Sequence, residues 1–315
     1  MQSSKIGIVG FGNQGEAWAL NLRDSGWNVT LFLRPRSKGR RQAEALGFRT
    51  EVIGPKLEEI AVLALLIPDD AMPEFCSRYK IHLKPGQSLL FAHGFTLHYQ
   101  TAAWPNETDW ILVAPKGIGT AVRERFIAGS GVPAVLAVAN DATRHAWEVA
   151  NRVAEGIGSL RAGTYRATVR EEVEADLFSE QALLTGGLPA LVEETYNVLV
   201  DRGISPEVAY LECVHELAFM ADLFQKRGIH GTLQFASPTA QFGGIQGGRR
   251  VISPDVRQNL EDLFEEIRAG TFAGNLTREA ETGFPATREA LTNLKGSLVE
   301  ITGRKIRRRI ERGRA

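Results

Sequence analysis

Cysteine is nearly absent: Cys76 and Cys213 are the only two in 315 residues. That excludes a disulfide framework and fits a chain in a reducing, cytoplasmic setting. Neither sign of charge is in excess, because Lys plus Arg and Asp plus Glu each total 37. No global field therefore draws the chain to nucleic acid or to a membrane surface. The longest apolar run, Ile60 to Ile67, is far too short to span a bilayer. A strand-like stretch begins at Lys5, which leaves no room for a signal peptide before it. There is no internal repeat. What remains is an ordinary globular composition, long enough for one or two domains with a substantial core.

The N-terminal half reads as strands alternating with helices. Lys5 to Val9 (K-I-G-I-V) is a buried strand, followed by G-F-G-N-Q-G and then a helical stretch closed by Gly26. Strand, G-x-G-x-x-G and helix in that order are the context a dinucleotide fingerprint needs. Gly10 and Gly12 allow a tight turn and close approach to a pyrophosphate, and Gly15 lets helix and strand pack closely. The next strand, Asn28 to Leu33, ends in Arg34 rather than in an acid, and R-P-R-S-K-G-R-R follows. An acid there would bind a ribose 2′-OH, whereas cations and hydroxyls suit a 2′-phosphate, hence NADP. A solvated basic loop is the competing reading. Further strands are expected at Ala61 to Ile67, Leu89 to Phe91, Ile111 to Val113 and Val132 to Val138. Together they predict a doubly wound parallel sheet. His93 and Lys116 fall just past strand ends, where such sheets bind ligands.

Two acid pairs stand out in the C-terminal half. Asp176 and Glu180 lie four apart in E-E-V-E-A-D-L-F-S-E-Q, and Glu212 and Glu216 repeat that spacing in A-Y-L-E-C-V-H-E-L-A-F-M-A-D-L-F. Helical spacing puts each pair on one face, about one turn apart. The second pair sits among residues patterned like a buried helix. Buried carboxylates call for a cation, and their oxygens are the ligands Mg²⁺ prefers. Surface ion pairs are the alternative, and the spacing alone does not separate the two.

Around these pairs, helices are expected from Arg166 to Val200, Pro206 to Lys226, Pro254 to Arg268 and Pro285 to Ile301. Leu233 to Gly248, rich in Gly, Ser, Thr and Gln, reads as a loop or an irregular link carrying Ser237 and Thr239. The chain closes on a basic tail with no function assigned. The expected division is 1–164 as an NADP-binding Rossmann domain and 165–315 as an all-helical domain.

In order along the chain, G-F-G-N-Q-G-E-A-W-A-L-N-L-R-D-S-G, F-A-H-G-F, A-P-K-G, G-I-G-S-L-R-A-G-T, E-A-D-L-F-S-E-Q, E-V-A-Y-L-E-C-V-H-E-L and S-P-T-A-Q-F-G resemble ketol-acid reductoisomerase, short-chain class. The resemblance implies that Asp176, Glu180, Glu212 and Glu216 hold two Mg²⁺ ions. It implies that Lys116 and Ser237 serve the substrate, that His93 is the active-site histidine, and that Glu216 relays a proton. Gly10, Phe11, Gly12, Asn13, Gln14, Gly15, Arg34, Ser37, Asp69, Asp70 and Gly119 fall at cofactor positions for NADPH. It further implies an intertwined homodimer whose helical domains share their sites, acting on a small 2-acetohydroxy acid and not on nucleic acid or membrane. A paralogous reductase and a non-catalytic scaffold are the alternatives.

The chain departs from the family pattern at five places. Ser179 stands for Gly, Thr185 for Cys, Ala218 for Lys, Gln241 for Glu, and Gly39 for a phosphate-contacting Ser. Ser179 adds a hydroxyl and a small volume between two metal ligands, which predicts a shifted substrate preference. Gln241 removes a negative charge near Ser237.

Overall fold

The computed structural model describes residues 4–314, and the chain forms two compact units that divide between Ala175 and Asp176. The first is built on eight strands: β1 (Lys5–Val9), β2 (Asn28–Leu33), β3 (Arg49–Val52), β4 (Val62–Leu65), β5 (Ser88–Phe91), β6 (Asp109–Pro115), β7 (Ala134–Asn140) and β8 (Thr164–Arg166). Their order across the sheet is β3-β2-β1-β4-β5-β6-β7-β8. Every pairing is parallel except β6 with β7, which is antiparallel and slips register between Trp110 and Ile111.

Alternation along the strands explains why both faces must be covered. Ile6 and Ile8 of β1, Val29, Leu31 and Leu33 of β2, Leu90 of β5, and Ile111 and Val113 of β6 enter one core. Val9, Phe32, Leu63, Leu65, Leu89, Phe91 and Leu112, one residue out of phase, enter the other. Successive side chains point to opposite faces, so a sheet apolar at every position needs helices on both sides. The doubly wound expectation holds, with β7 and β8 reversed. Strands β3 and β8 escaped the sequence reading because R-T-E-V and T-Y-R are short and largely exposed. Edge strands carry no apolar alternation to read.

Asn21 ties the layer together. It is fully buried, and its Nδ2 donates to the carbonyls of Val122 at 3.3 Å and Ile157 at 3.1 Å. Its Oδ1 accepts from Arg123 at 2.8 Å. Three helices on one face of the sheet thus meet at a single amide.

The second unit is helical throughout. It contains Gly187–Asp201, Pro206–Tyr210, Leu217–Phe235 (kinked at Gly228, whose φ is +67°), Pro238–Val251, Pro254–Arg268, Thr271–Glu281, Pro285–Gly296 and Leu298–Arg314. Proline opens Pro206–Tyr210, Pro238–Val251, Pro254–Arg268 and Pro285–Gly296, where its missing N–H costs nothing. A small core forms where Tyr196, Ala209, Tyr210 and Val299 pack, with the Tyr196 hydroxyl 3.0 Å from Thr302 Oγ1.

Three expectations need correction here. Leu233 to Gly248 is not a loop: only Ala236 and Ser237 separate two helices. The Ser-Pro start outweighs the glycines, which cost helix propensity but break nothing. The helix expected from Pro285 to Ile301 breaks at Ser297, and a second helix runs from Leu298 to Arg314. The stretch around Glu212 is not buried: only Ala209 and Tyr210 are, while Phe219, Met220 and Phe224 are exposed. Its apolar side chains find no cover within one chain.

Replacing Asn21 with Leu keeps the volume but removes the buried amide that donates to the Val122 and Ile157 carbonyls and accepts from Arg123. Losing such partners costs about 1–3 kcal/mol. The urea midpoint is expected to fall accordingly, and an unchanged midpoint would show that these bonds are replaceable.

Candidate active site

The glycine turn after β1 is shaped by close backbone approach. Gly10 has φ +98°, and a Cβ there would collide with the Leu66 carbonyl. Gly12 precedes the helix Asn13–Asp24 without any side-chain cap, and nothing lies within 4 Å of where its Cβ would be. The first-turn amides therefore face open space at the positive end of a helix, which suits a pyrophosphate. A second loop braces this turn. Gln14 Nε2 donates to the Gly117 carbonyl at 2.9 Å, and Gly119 lies so close to Asn13 that a Cβ would strike its carbonyl.

From this turn a cleft of about 530 Å³ extends past Arg34, Ser37, Gly39 and Asp70 to Glu74, Arg78 and Tyr79. Ser37 caps the helix Lys38–Ala45 by accepting from Arg40 N–H at 3.2 Å, which leaves its O–H free to donate. Arg40 is bound to Glu44 at 2.8 Å. Hydrogen bonds from Thr50 and Arg40 hold the Glu44 carboxyl below its ordinary pKa. Of the basic run, Arg34 is the side chain that lines the cleft with Ser37. Gly39 keeps the entrance open, since a Cβ there would come within 3.3 Å of the Phe11 carbonyl. Glu74, Arg78 and Tyr79 went unnoticed in the sequence because the helix Met72–Tyr79 carries no motif.

His93 and Lys116 lie just beyond β5 and β6, at the carboxyl ends of the parallel strands. His93 Nδ1 is 3.1 Å from Asp69 Oδ2. Asp69 thus faces the histidine, whereas its neighbour Asp70 lines the cleft. Lys116 Nζ is 2.5 Å from Glu172 Oε1, and the Glu172 side chain is 1% exposed. A carboxylate that deep is tolerated because a cation offsets it. Glu172 was missed, although the signal existed: it lies one further turn before Asp176 on the same helical face. The neighbouring Glu174 is also buried and pairs with Arg170 at 2.8 Å.

Of the four acids expected to bind metal, Glu180 and Glu212 lie in π turns and Asp176 and Glu216 flank them. Asp176 is half-buried near the end of the helix Val169–Ser179. Glu180 opens a π turn, Glu180–Leu184, and its carbonyl receives the Thr185 amide, the Thr185 hydroxyl and the Gly186 amide. Glu212 lies within a second π turn, Leu211–His215, and Glu216 follows it. Such turns are rare and occur mostly at functional sites. Glu180, Glu212 and Glu216 are exposed. Among the described residues, no three His, Cys, Asp or Glu side chains stand close enough to hold a metal. One chain presents the acids without gathering them. As a donor set, all-carboxylate oxygen fits Mg²⁺.

The Ser179 hydroxyl donates to the Asp176 carbonyl of its own helix at 3.0 Å. Nothing in the structure explains Ala218, which is exposed.

Residues 1–163 match the family model for the acetohydroxy acid isomeroreductase NADPH-binding domain, and 169–312 match that for the ketol-acid reductoisomerase C-terminal domain. A ketol-acid reductoisomerase (NAD(P)(+)) of Metallosphaera sedula is 39% identical over 100% of this chain and 94% of its own. A ketol-acid reductoisomerase (NADP(+)) of Pyrobaculum arsenaticum is 40% identical, covering 98% of this chain and 94% of its own. Among solved structures, an NADH-preferring ketol-acid reductoisomerase from an uncultured archean superposes with a TM-score of 0.94 at 33% identity, covering 97% and 94% of the two chains.

Gly119→Ala should push the Asn13–Gln14 backbone out of place while leaving the sheet intact. Dinucleotide affinity, followed by cofactor fluorescence, is expected to fall by at least tenfold with little change in far-UV circular dichroism. Undiminished binding would mean that this brace does not shape the glycine turn.

Proposed function

The chain belongs to the ketol-acid reductoisomerase family, and from that footing we propose that it rearranges 2-acetohydroxy acids and reduces the product to a 2,3-dihydroxy acid with NADPH. The substrates of this reading are 2-acetolactate and 2-aceto-2-hydroxybutyrate, on the route to valine and isoleucine. The observation that carries it is the occurrence of both π turns of the helical unit at the two acid pairs. Nothing about helix stability asks for that coincidence. When bound, Mg²⁺ supplies Lewis acidity to the hydroxyl, carbonyl and carboxylate of the substrate, and NADPH supplies the hydride.

The chain's own residues have separable roles. Asp176, Glu180, Glu212 and Glu216 would hold the two ions. The Asn13–Asp24 amides, Arg34 and Ser37 would hold the pyrophosphate and 2′-phosphate. Lys116 brings a positive charge toward an anionic substrate, and Glu172 fixes where that ammonium sits. Asp69 orients the His93 ring. Glu216 would pass a proton as a general acid or base. Ser237 donates its hydroxyl to the substrate.

The reading includes a homodimer in which one subunit contributes Asp176 and Glu180 and the other Glu212, Glu216 and Ser237. Exposed apolar side chains support it, among them Phe219, Phe235 and Phe242 at 59%, 65% and 72% exposure. Monomeric proteins rarely leave so much apolar surface in water. Partners of other kinds are not part of the reading. The charge balance supports that, and no helix of the described residues is long and apolar enough to cross a membrane. A cytoplasmic setting belongs to the same reading, supported by Cys76 and Cys213 both being free.

The test is NADPH oxidation with 2-acetolactate and Mg²⁺, run beside the rearranged 2-oxo acid. Turnover of both is expected; reduction of simple 2-oxo acids alone would point to a paralogous reductase. In the same assay NADPH should exceed NADH in kcat/KM by about ten- to a hundredfold, since charge-assisted bonds contribute roughly 1.5–3 kcal/mol. Equal values would remove Arg34 and Ser37 from that role.

Mixing inactive Glu180→Gln and Glu216→Gln proteins tests the shared site. After refolding together, each heterodimer has one site with only native ligands, so activity should partly return. Heterodimers that form but stay inactive would place all four acids of a site on one chain.

A further inference from the structure

Ser237 stands at a corner between two helices. Leu217–Phe235 ends at Ala236, so the carbonyls of its last turn have no partner further along the helix. Pro238–Val251 starts directly after, with Ser237 as its N-cap. Gln241 folds back across this corner. Its Nε2 donates to the Ala236 carbonyl at 2.8 Å, with the Gln234 carbonyl at 3.4 Å. Its backbone N–H donates to the Ser237 carbonyl at 2.8 Å. Ser237 Oγ in turn accepts from the Ala240 N–H at 3.2 Å. That bond engages the hydroxyl oxygen as an acceptor and leaves its hydrogen to point outward, from a side chain that is exposed.

We propose that Gln241 is a positioning residue whose side-chain amide ties the end of one helix to the start of the next and so fixes the Ser237 hydroxyl as a donor to the substrate's carboxylate. This rests on the assignment of Ser237 to the substrate made above. The role requires an amide. A carboxylate of the same length accepts but does not donate, and would be set against two carbonyl oxygens. A thioether of similar length does neither. The glutamine therefore does more than remove a charge beside Ser237.

The experiment compares Gln241→Met, Gln241→Glu, Ser237→Ala and the double variant Ser237→Ala/Gln241→Met in the full-length enzyme. One lost net hydrogen bond corresponds to about a two- to tenfold effect. Gln241→Met should raise the KM for 2-acetolactate by that factor, with kcat and the KM for NADPH near wild type. Gln241→Glu should raise it at least as much. The double variant should be no worse than Ser237→Ala, because the clamp acts through the serine. Without substrate, hydrogen exchange of the amides between residues 234 and 242 should quicken in Gln241→Met and stay unchanged elsewhere. Wild-type KM together with wild-type exchange in Gln241→Met overturns the proposal, as do KM effects that add independently of Ser237. An unchanged KM in Ser237→Ala overturns the serine's assignment and the substrate half of the proposal with it. The exchange data then report separately whether the amide holds the corner.

Discussion

A carboxylate almost without exposure must have a cation beside it, and Glu172 meets that demand with Lys116. The pair joins the carboxyl end of β6 to the helix Val169–Ser179, on which Asp176 lies one turn further along. A long flexible lysine on a loop is ordinarily solvated and mobile. Here its ammonium has a fixed place at the strand ends, where parallel sheets gather their ligands. The pair links strand end to helix, which makes it a structural element as much as a chemical one.

The two units solve the burial problem differently. The sheet buries apolar side chains on both faces and needs nothing outside its own chain. The helical unit has the small core around Tyr196 and Tyr210, yet leaves large aromatic and aliphatic side chains in water. Apolar area on that scale is rarely left in water by a protein that works alone. Glu180, Glu212 and Glu216 are likewise exposed.

Three departures from the family pattern share a physical explanation. The Ser179 hydroxyl, the Thr185 hydroxyl and the Gln241 amide all donate to carbonyls at or near helix ends and π turns. Each of these side chains adds a donor to a backbone carbonyl close by in sequence, and at Glu180 the Thr185 hydroxyl joins two backbone amides.

Alternation along the strands, the glycine turn and the spacing of the acids were legible in the sequence because each depends on neighbours a few residues apart. The pattern K-I-G-I-V-G-F-G could hardly fold otherwise, and Arg34 at the end of β2 follows directly from strand length. The edge strands β3 and β8, the reversed β7, the cleft wall of Glu74, Arg78 and Tyr79, and the pairing of Glu172 with Lys116 depend on residues distant in sequence. So does the direction of the Ser179 and Gln241 side chains, which is set by whichever unsatisfied carbonyl the fold brings within reach. Local periodicity decides which face a residue takes; only tertiary structure decides what that face meets.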